Sequence, residues 1–497
     1  MSENQIYKDA FREFFYLCMW ILAARYTLGA ALLVMVAVGI GYAFCGKVGK
    51  AISINAMLMF MVILNPFILP KAGILYTLGL RIGPLLIGLV LVLRGLSSRN
   101  GRLLPMGVML AFILIAGISS STGWSPRVSY MKLANFTVFF LGIWLGTKLL
   151  PKDVGGVQTL RATFLALSVF LILGSLALIP FPGISTLGGI IARRVVGADI
   201  SLVNQVLVDM AGQSLLCGVT FHSQALAPLS VCASAWTLCD MLFVEGRVRW
   251  PHLIMLFCAL PVLFMTRSRV ALLGGFSAFL LIYLYLPRHI SLNSFIKKRL
   301  GQILLAAAVF LVLLVVAAEM HSNAISKWLR KTDDVQHDDR SLSDAVTSSR
   351  QGLIEMCMDD FRRNPMFGMG FQVAFYTESR LQGQEGLIFS SPVEKGVLPV
   401  MVLGETGIVG VFVFIVFLVT FVYAGTKRKL FISISLMGVF CAVNMGEATF
   451  FSPGGTGGIE WMICIVGGYT LDVCLVRNNP FYYCRTGMIG WMKYELR

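Results

Sequence analysis

The amino-acid sequence predicts an all-α membrane protein, a polytopic transmembrane helical bundle of about 12 to 14 helices with a large helical loop on its outer side. Of the 497 residues, 57% are hydrophobic and 13% are charged, whereas an average soluble domain carries about 25% charged residues. Apolar runs of about 18 or more residues recur, each long enough to cross a hydrocarbon core of about 30 Å. One polar stretch, 319–395, holds twelve of the 25 acidic residues and predicts the loop.

The predicted spans are helices because the apolar runs are too long and too uniform for barrel strands. Hydropathy places them at 26–45, 51–69, 73–93, 103–121, 131–149, 160–180, 215–243, 252–266, 268–286, 301–318, 396–424, 430–448 and 459–475. Residues 1–25 mix charged and aromatic side chains, which is typical of an interfacial segment and leaves open whether it inserts. The predicted regions are this segment, a transmembrane bundle (26–318), an outer loop module (319–395), C-terminal transmembrane helices (396–475) and a basic cytoplasmic tail (476–497).

Inside the loop module, periodic apolar positions predict one helix. It runs from Ser349 to Arg363 and ends at Asn364 and Pro365, because a residue before proline disfavours helical geometry. A glycine turn at Gly368 and Gly370 follows.

The net charge of +16 does not indicate nucleic-acid binding, because the cations lie in short clusters between apolar runs. The densest clusters, 297–299 and 427–429, are predicted to be cytoplasmic. Counting crossings from them places the loop module and the glycine-rich hairpin 450–458 on the outer side. The 11 cysteines show neither CxxC pairs nor Cys/His ligand spacing, so we expect no disulfide framework, no metal and no cofactor.

Arg267 and Arg269 stand between two apolar runs. The same counting places them on the outer side, together with Arg193 and Arg194 of the 181–214 loop. Topology does not require positive charge there. Two interpretations remain open: the arginines reach water or a carboxylate of the loop module from a helix mouth, or they form an anion site, since guanidinium groups bind phosphate through paired hydrogen bonds.

Four stretches of the predicted outer face resemble motifs of the O-antigen ligase and Wzy-type polysaccharide polymerase superfamily, in the same order along the chain. They are GVTFHSQALA (218–227), TRSRVALL (266–273), SSRQGLIEMCMDDFRRNPMFGMGFQVAF (348–375) and VEKGVLPVMVLGETGIVG (393–410). The third is the most specific of the four. The first 200 residues contribute only hydropathy to this resemblance.

The resemblance implies a GT-C-like, metal-independent membrane glycosyltransferase. It would act on sugars linked to undecaprenyl pyrophosphate at the periplasmic face of a bacterial inner membrane. Arg269 and Arg350 match the arginines of the second and third motifs, which implies that both bind the pyrophosphate and stabilise it as a leaving group. The implied partners are lipid-linked glycan donor and acceptor, membrane lipids, a chain-length regulator and a flippase.

The sequence departs from the family pattern in two places. Ser223 and Gln224 replace a Lys-Asn pair, and Gly396 occupies the place of a histidine that serves the active site in the ligase branch. The second departure favours polymerisation of repeat units over ligation of glycan to lipid A core. Glu394 and Lys395 are the neighbouring substitutes, with Glu394 as a candidate general base. A salt-bridged junction between loop and helix is the alternative.

Other polar and aromatic residues carry two interpretations each. His222 either packs at a helix start or contacts phosphate or acceptor sugar; Gln224, Arg267, Lys395, Arg193 and Arg194 complete the candidate substrate-binding residues. Glu460 is expected to pair with an outer-side cation. Trp124, Phe450 and Phe451 either stack on sugars or anchor the interface. A lipid-linked oligosaccharide flippase or other transporter is an alternative of another class, although no inverted repeat is visible.

Overall fold

The computed structural model describes residues 5–71, 73–97, 104–186, 215–245, 249–289, 342–373, 397–446 and 448–478. Seven helical stretches within these ranges are long and apolar enough to cross a membrane: Ile74–Ser97, Leu104–Thr122, Pro126–Lys152, Gly155–Ala177, Ser223–Val244, Leu398–Arg428 and Thr456–Arg477. Four apolar helices in the same ranges are shorter. The described chain is thus a polytopic helical membrane protein, and the total of about 12 to 14 spans stays a prediction.

The helices of the first half run alternately between two ends of the bundle. They are α1 (Gln5–Tyr26), α2 (Ala30–Phe44), α3 (Val48–Ile63), α4 (Ile74–Thr77), α5 (Gly83–Ser97), α6 (Leu104–Thr122), α7 (Pro126–Leu149), α8 (Val154–Ala177) and α9 (Pro182–Ser185). A π-helical turn, Leu78–Ile82, joins α4 to α5. The helix α1 packs along α8, so the N-terminal segment is part of the bundle.

The helices of the second half surround one central helix. They are α10 (Ser223–Cys239), α11 (Trp250–Met265), α12 (Arg269–His289), α13 (Leu342–Arg363), α14 (Leu398–Arg428), α15 (Phe431–Asn444), α16 (Thr456–Trp461) and α17 (Gly467–Asn478). The π-helical turns Asp240–Val244 and Met462–Val466 extend α10 and join α16 to α17. The central helix is α10, which packs against α8, α11, α12 and α15.

Hydropathy located these helices but misplaced several of their ends. The predicted span 215–243 begins too early, because residues 215–222 are not helical. The predicted span 51–69 is too long, because α3 ends at Ile63. The loop-module helix begins at Leu342 and not at Ser349, although it ends at Arg363 as predicted. Hydropathy averages composition and does not report where the backbone leaves the helix. The predicted span 301–318 lies outside the described residues.

The described turns lie at two ends of the bundle, which we call the basic end and the site end. At the basic end, the α2–α3, α7–α8 and α14–α15 turns carry Lys47, Lys50, Lys148, Lys152 and the cluster 427–429. Asp153 joins two of these turns there by accepting a hydrogen bond from the Gly49 N–H at 2.9 Å. At the site end lie the α6–α7 and α11–α12 turns. Arg267 belongs to the second of them and is therefore at the opposite end from cluster 427–429.

A buried polar network near the basic end ties four helices together. Arg161 of α8 donates to Asp240 Oδ1 at 2.7 Å and to Glu245 Oε1 at 2.5 Å. The His252 Nε2 of α11 lies 3.1 Å from Asp240 Oδ2, and the Tyr7 hydroxyl of α1 lies 3.1 Å from His252 Nδ1. Burial raises the pKa of Tyr7 to about 12, so the phenol keeps its proton and can donate to His252. This network anchors α1 to the bundle.

Candidate active site

The third and fourth sequence stretches interlock at the site end. After α13 the chain continues as the loop 364–373, which we call the signature loop, and this loop lies against α14. The Met369 N–H donates to the Gly404 carbonyl at 2.9 Å, and the Ile408 N–H donates to the Pro365 carbonyl at 2.9 Å. Phe371 within the loop is fully buried. This part of the predicted loop module is therefore packed among membrane helices.

Glycine is required at this interlock because two backbones touch with no side chain between them. Gly368 has a φ of 71° and Gly407 a φ of 65°, in the left-handed region that glycine tolerates best. A Cβ on Gly368 would lie 2.4 Å from the carbonyl carbon of Glu405, and one on Gly407 would lie 2.3 Å from the Met366 oxygen. Gly407 also interrupts α14. The glycines of the two stretches thus serve a single packing contact.

Three side chains of α6 and α7 hold the signature loop from the other side. The Ser119 hydroxyl accepts from a loop N–H at 2.9 Å. The Ser129 hydroxyl and the Lys132 ammonium donate to the Phe371 and Gln372 carbonyls at 2.9 Å and 3.1 Å. Lys132 is only 6% exposed. Sequence reasoning missed these residues, although a lysine at the start of the predicted span 131–149 was an available signal, since buried intramembrane charge is costly.

Trp124, in the α6–α7 turn, holds the end of α13. Its indole N–H donates to Asp360 Oδ1 at 2.7 Å. The guanidinium carbon of Arg363 lies 4.9 Å from the centre of the Trp124 ring, a distance typical of a cation–π contact. The backbone N–H of Trp124 donates to the Met369 carbonyl at 3.1 Å. Trp124 therefore links α13, the signature loop and the α6–α7 turn.

The first sequence stretch forms the entry to the central helix. Asn65, just beyond α3, donates through its side-chain amide to the Gly218 carbonyl at 3.3 Å and through its backbone to the Val219 carbonyl at 2.7 Å. His222 is the N-cap of α10, and its Nδ1 accepts from the Gln224 N–H at 3.0 Å. This bond satisfies one of the backbone donors at a helix start. His222 thus lies at a helix start, and a contact with phosphate or acceptor sugar stays a prediction.

The second sequence stretch is the tight turn between α11 and α12. Arg267 is half-buried in this turn and has a φ of 50°, which is uncommon for a residue other than glycine. Ser268 follows, and its hydroxyl accepts from the Ala271 N–H at 3.3 Å. The Leu216 N–H donates to the Met265 carbonyl at 3.1 Å. Because Leu216 and Met265 lie just before the first and second stretches, this bond brings the starts of the two stretches together at the site end.

The two predicted catalytic arginines lie on elements of the site end. Arg269 is the first residue of α12, and Arg350 lies on α13, two helical turns before Cys357. Near Cys357 the helix α13 packs closely on α14, since a Cβ on Gly404 would lie 2.8 Å from the Cys357 carbonyl oxygen. The side chains of both arginines lie outside the described part of the structure, so their convergence stays a prediction. Four further predicted site residues lie outside the described ranges altogether: Arg193, Arg194, Glu394 and Lys395.

Two expectations about buried residues of the site end are wrong. Phe450 and Phe451 are 0% and 1% exposed and stack in the aromatic core, Phe450 on Phe440 with ring centres 4.7 Å apart, so neither can stack on a sugar. Glu460 is hydrogen-bonded by the Thr449 hydroxyl at 2.6 Å and the Asn444 amide at 3.3 Å, where we expected a cation. Neutral donors thus satisfy one oxygen of this carboxyl group.

One region of the chain, which includes turns of the site end, resembles a known family. Residues 254–415 match the family described as O-antigen ligase. The resemblance inferred from the motifs is thereby confirmed for this part of the chain. The match shows that this part of the chain is similar to membrane enzymes of the O-antigen ligase and polymerase type. No curated protein matches the chain.

The O-antigen ligase match begins within α11 and ends within α14. It therefore includes Arg267, Arg269, Arg350 and the glycine interlock, whereas His222 and Gln224 precede it. Among the residues that the structure describes, no group of three or more His, Cys, Asp or Glu side chains is arranged to hold a metal ion. Burial raises the pKa of Cys217 to about 12, so this thiol of the site end stays protonated and is a poor nucleophile.

Proposed function

We propose that the protein polymerises oligosaccharide repeat units linked to undecaprenyl pyrophosphate into exopolysaccharide, capsule or O-antigen at the outer face of a bacterial inner membrane. The observation that carries the proposal is the position of Arg267 and the start of α12 at the end of the bundle opposite the cluster 427–429. Lysine and arginine are concentrated in cytoplasmic loops, so arginines at the opposite end need another role. Binding a diphosphate is one that guanidinium groups perform well.

The proposed reaction is a displacement at an anomeric carbon. A hydroxyl oxygen of the acceptor sugar attacks this carbon, the bond from the carbon to the pyrophosphate oxygen breaks, and undecaprenyl pyrophosphate leaves. Arg269 and Arg350 bind the pyrophosphate and neutralise the charge that grows on the leaving oxygen. Attack from the face opposite the leaving group inverts the anomeric configuration. Glu394 accepts the proton of the attacking hydroxyl.

The remaining candidate residues bind the substrates in this proposal. Arg267 and Lys395 contribute further positive charge beside the pyrophosphate, as do Arg193 and Arg194 of the preceding loop. His222 and Gln224, partly exposed at the start of α10, contact the acceptor sugar. The Trp124 ring and the Arg363 guanidinium lie at the same end of the bundle. A glycan leaving the site would pass them.

A second candidate function is transfer of a finished glycan to lipid A core, because the matched family is described as O-antigen ligase. The two reactions share the donor and the leaving group and differ in the acceptor. Gly396 stands where the ligase branch has a histidine, which favours polymerisation.

Reconstitution in liposomes with a defined undecaprenyl-pyrophosphate oligosaccharide tests the proposal. We expect a ladder of longer lipid-linked glycans from the wild-type protein without any ion gradient. Arg269→Ala and Arg350→Ala are each expected to reduce elongation by about 10²- to 10³-fold, the usual effect of removing one group that stabilises developing charge. Arg362→Ala is the matched control, because Arg362 is on the same helix as Arg350 and its side chain is 72% exposed. Among the ion pairs of the described residues, Arg362 pairs only with Asp359.

The acceptor decides between the two candidate functions. Glycan attached to added lipid A core, with no lengthening on the lipid carrier, would select the ligase. Movement of the lipid-linked oligosaccharide across the bilayer without any new glycosidic bond would reject both enzymes and select a flippase.

A further inference from the structure

A groove on the lipid-facing side of the bundle lies apart from the site end. It is formed between α6 and α14, has a volume of about 430 Å³ and is lined entirely by apolar residues. Gly107 and Ala111 of α6 form one wall, and Phe412 and Val416 of α14 form the other. The two small residues leave the space between the helices open: a Cβ built on Gly107 would meet no atom within 4 Å.

The groove lies in the half of the bundle next to the basic end. The helices α6 and α14 are antiparallel neighbours, with Ser119 beside Glu405 toward the site end and Phe112 beside Phe414 near the middle. From Val416 the helix α14 continues for eleven residues to reach Lys427 of the basic end. At a rise of 1.5 Å per residue this is about 16 Å, roughly half of a hydrocarbon core about 30 Å thick. The groove is therefore at the depth of lipid acyl chains.

A cation stands above the groove on the same side of α14. Eleven residues are about three helical turns, so Val416 and Lys427 face nearly the same direction, and the Lys427 side chain is exposed. Tyr423 lies between them on this side and is 60% exposed. A helix that leaves the hydrocarbon and enters the headgroup region typically shows this order: apolar residues, then an exposed aromatic ring, then a lysine.

We infer that this groove binds one acyl chain of an anionic glycerophospholipid from the leaflet at the basic end, with the lipid phosphate beside Lys427. The apolar lining offers no partner for a polar ligand, and its width is set by two residues that lack large side chains. Lys427 favours a negatively charged headgroup. Its distance from the groove along α14 is one that an acyl chain can span. The inference is independent of the proposed function, whose pyrophosphate lies at the opposite end of the bundle.

Native mass spectrometry of the purified protein with added phosphatidylglycerol or phosphatidylcholine tests the inference. We expect phosphatidylglycerol to bind the wild type more tightly. Lys427→Gln is expected to weaken phosphatidylglycerol binding about fivefold, the contribution of one lysine at an anionic membrane surface, and to leave phosphatidylcholine binding unchanged. Gly107→Leu places a larger side chain in the groove, where a Cβ meets no atom within 4 Å, and is expected to weaken binding of both lipids at least about tenfold.

Matched controls come from positions of the same kind elsewhere in the bundle. Gly41→Leu adds the same side chain at a glycine of α2 whose surroundings are equally open, and Lys47→Gln removes a cation of the basic end that belongs to the α2–α3 turn and not to α14. Neither change is expected to alter lipid binding. Equal effects of Gly41→Leu and Gly107→Leu, or equal binding of the two lipids by the wild type, would overturn the inference.

Crosslinking of the unmodified protein adds a measurement that needs no variant. A phosphatidylglycerol with a photoactivatable acyl chain is expected to label residues 104–111 and 412–416. Labelling elsewhere would contradict the site, and displacement of this lipid by an equal concentration of undecaprenyl phosphate would assign the groove to the isoprenoid carrier instead.

Discussion

Asp240 shows, at the scale of single residues, how this protein keeps a charge inside its bundle. The carboxylate is fully buried, and its two oxygens lie 2.7 Å from Arg161 Nε and 3.1 Å from His252 Nε2. The exposed pair of Arg362 and Asp359 has a similar separation of 2.9 Å. The two pairs differ in surroundings, because water competes for the exposed pair but cannot reach the buried one.

Asp240→Asn is therefore expected to lower the free energy of unfolding by about 3 kcal/mol, because it removes the fully buried one of the two carboxylates that pair with Arg161. Asp359→Asn, the matched exposed change, is expected to cost less than about 1 kcal/mol. Both values can be measured by reversible unfolding in mixed detergent micelles. The double variant Arg161→Met, Asp240→Asn should recover part of the loss. If it is as unstable as the two single changes combined, packing and not charge explains the effect.

The tyrosine at the edge of the same network allows a second residue-scale prediction. Tyr7→Phe removes only the hydroxyl that lies 3.1 Å from His252 Nδ1, and we expect a loss of about 1 kcal/mol of unfolding free energy, the usual net value of one hydrogen bond. Tyr16→Phe is the control, because Tyr16 is on the same helix and 47% exposed. Limited proteolysis should detect earlier release of α1 in Tyr7→Phe. Identical cleavage of the two variants would contradict the anchoring role.

At the scale of elements, the interlock of the signature loop with α14 decides how the loop module meets the membrane helices. Gly407 has a left-handed φ of 65° in the middle of α14. Gly407→Ala is expected to cost at least about 2 kcal/mol, since the new Cβ is disfavoured at positive φ and lies 2.3 Å from the Met366 oxygen. Thermal unfolding in detergent and protease cleavage within 364–373 should both report the change.

Gly352→Ala is the matched control for that prediction. Gly352 is on the exposed side of α13 with no atom within 4 Å of a built Cβ and no positive φ. Alanine there is expected to stabilise the helix by about 0.5 to 1 kcal/mol. A destabilisation of equal size at both glycines would show that the interlock is not what makes Gly407 necessary.

The interlock also marks the limit of what the sequence could predict. The pattern of 364–370 predicted a helix end and a glycine turn, and both occur. It did not predict that Gly368 packs on Glu405, because contacts between residues far apart in the chain leave no local period. The anchoring residues Ser119 and Lys132 were missed for the same reason. The helices themselves were predictable because about 18 apolar residues in a row have few alternatives to a membrane span.

At the scale of the whole molecule, charge divides the protein into two different ends. Lysines of three turns gather at the basic end, whereas the site end carries the arginine turn between α11 and α12, the N-cap of α10 and the signature loop. The sequence predicted this division by counting crossings between cationic clusters, since the placement of lysine and arginine sets membrane orientation. It could not predict which site-end side chains touch, because the turns meet only when the helices pack.

The division into two ends predicts which surface faces the cytoplasm. In a background with Cys45→Ser and Cys484→Ser, an impermeant maleimide is expected to label Asp359→Cys in right-side-out spheroplasts and Lys427→Cys only in inverted vesicles. Both positions are exposed, and the excess of lysine at the basic end favours retention of that end in the cytoplasm. Tyr26→Cys, 81% exposed at the site end, should follow Asp359→Cys, and Lys47→Cys should follow Lys427→Cys. The reverse pattern would place Arg267 on the cytoplasmic side, where its charge needs no function beyond orientation, and would remove the main support for a pyrophosphate site at that end.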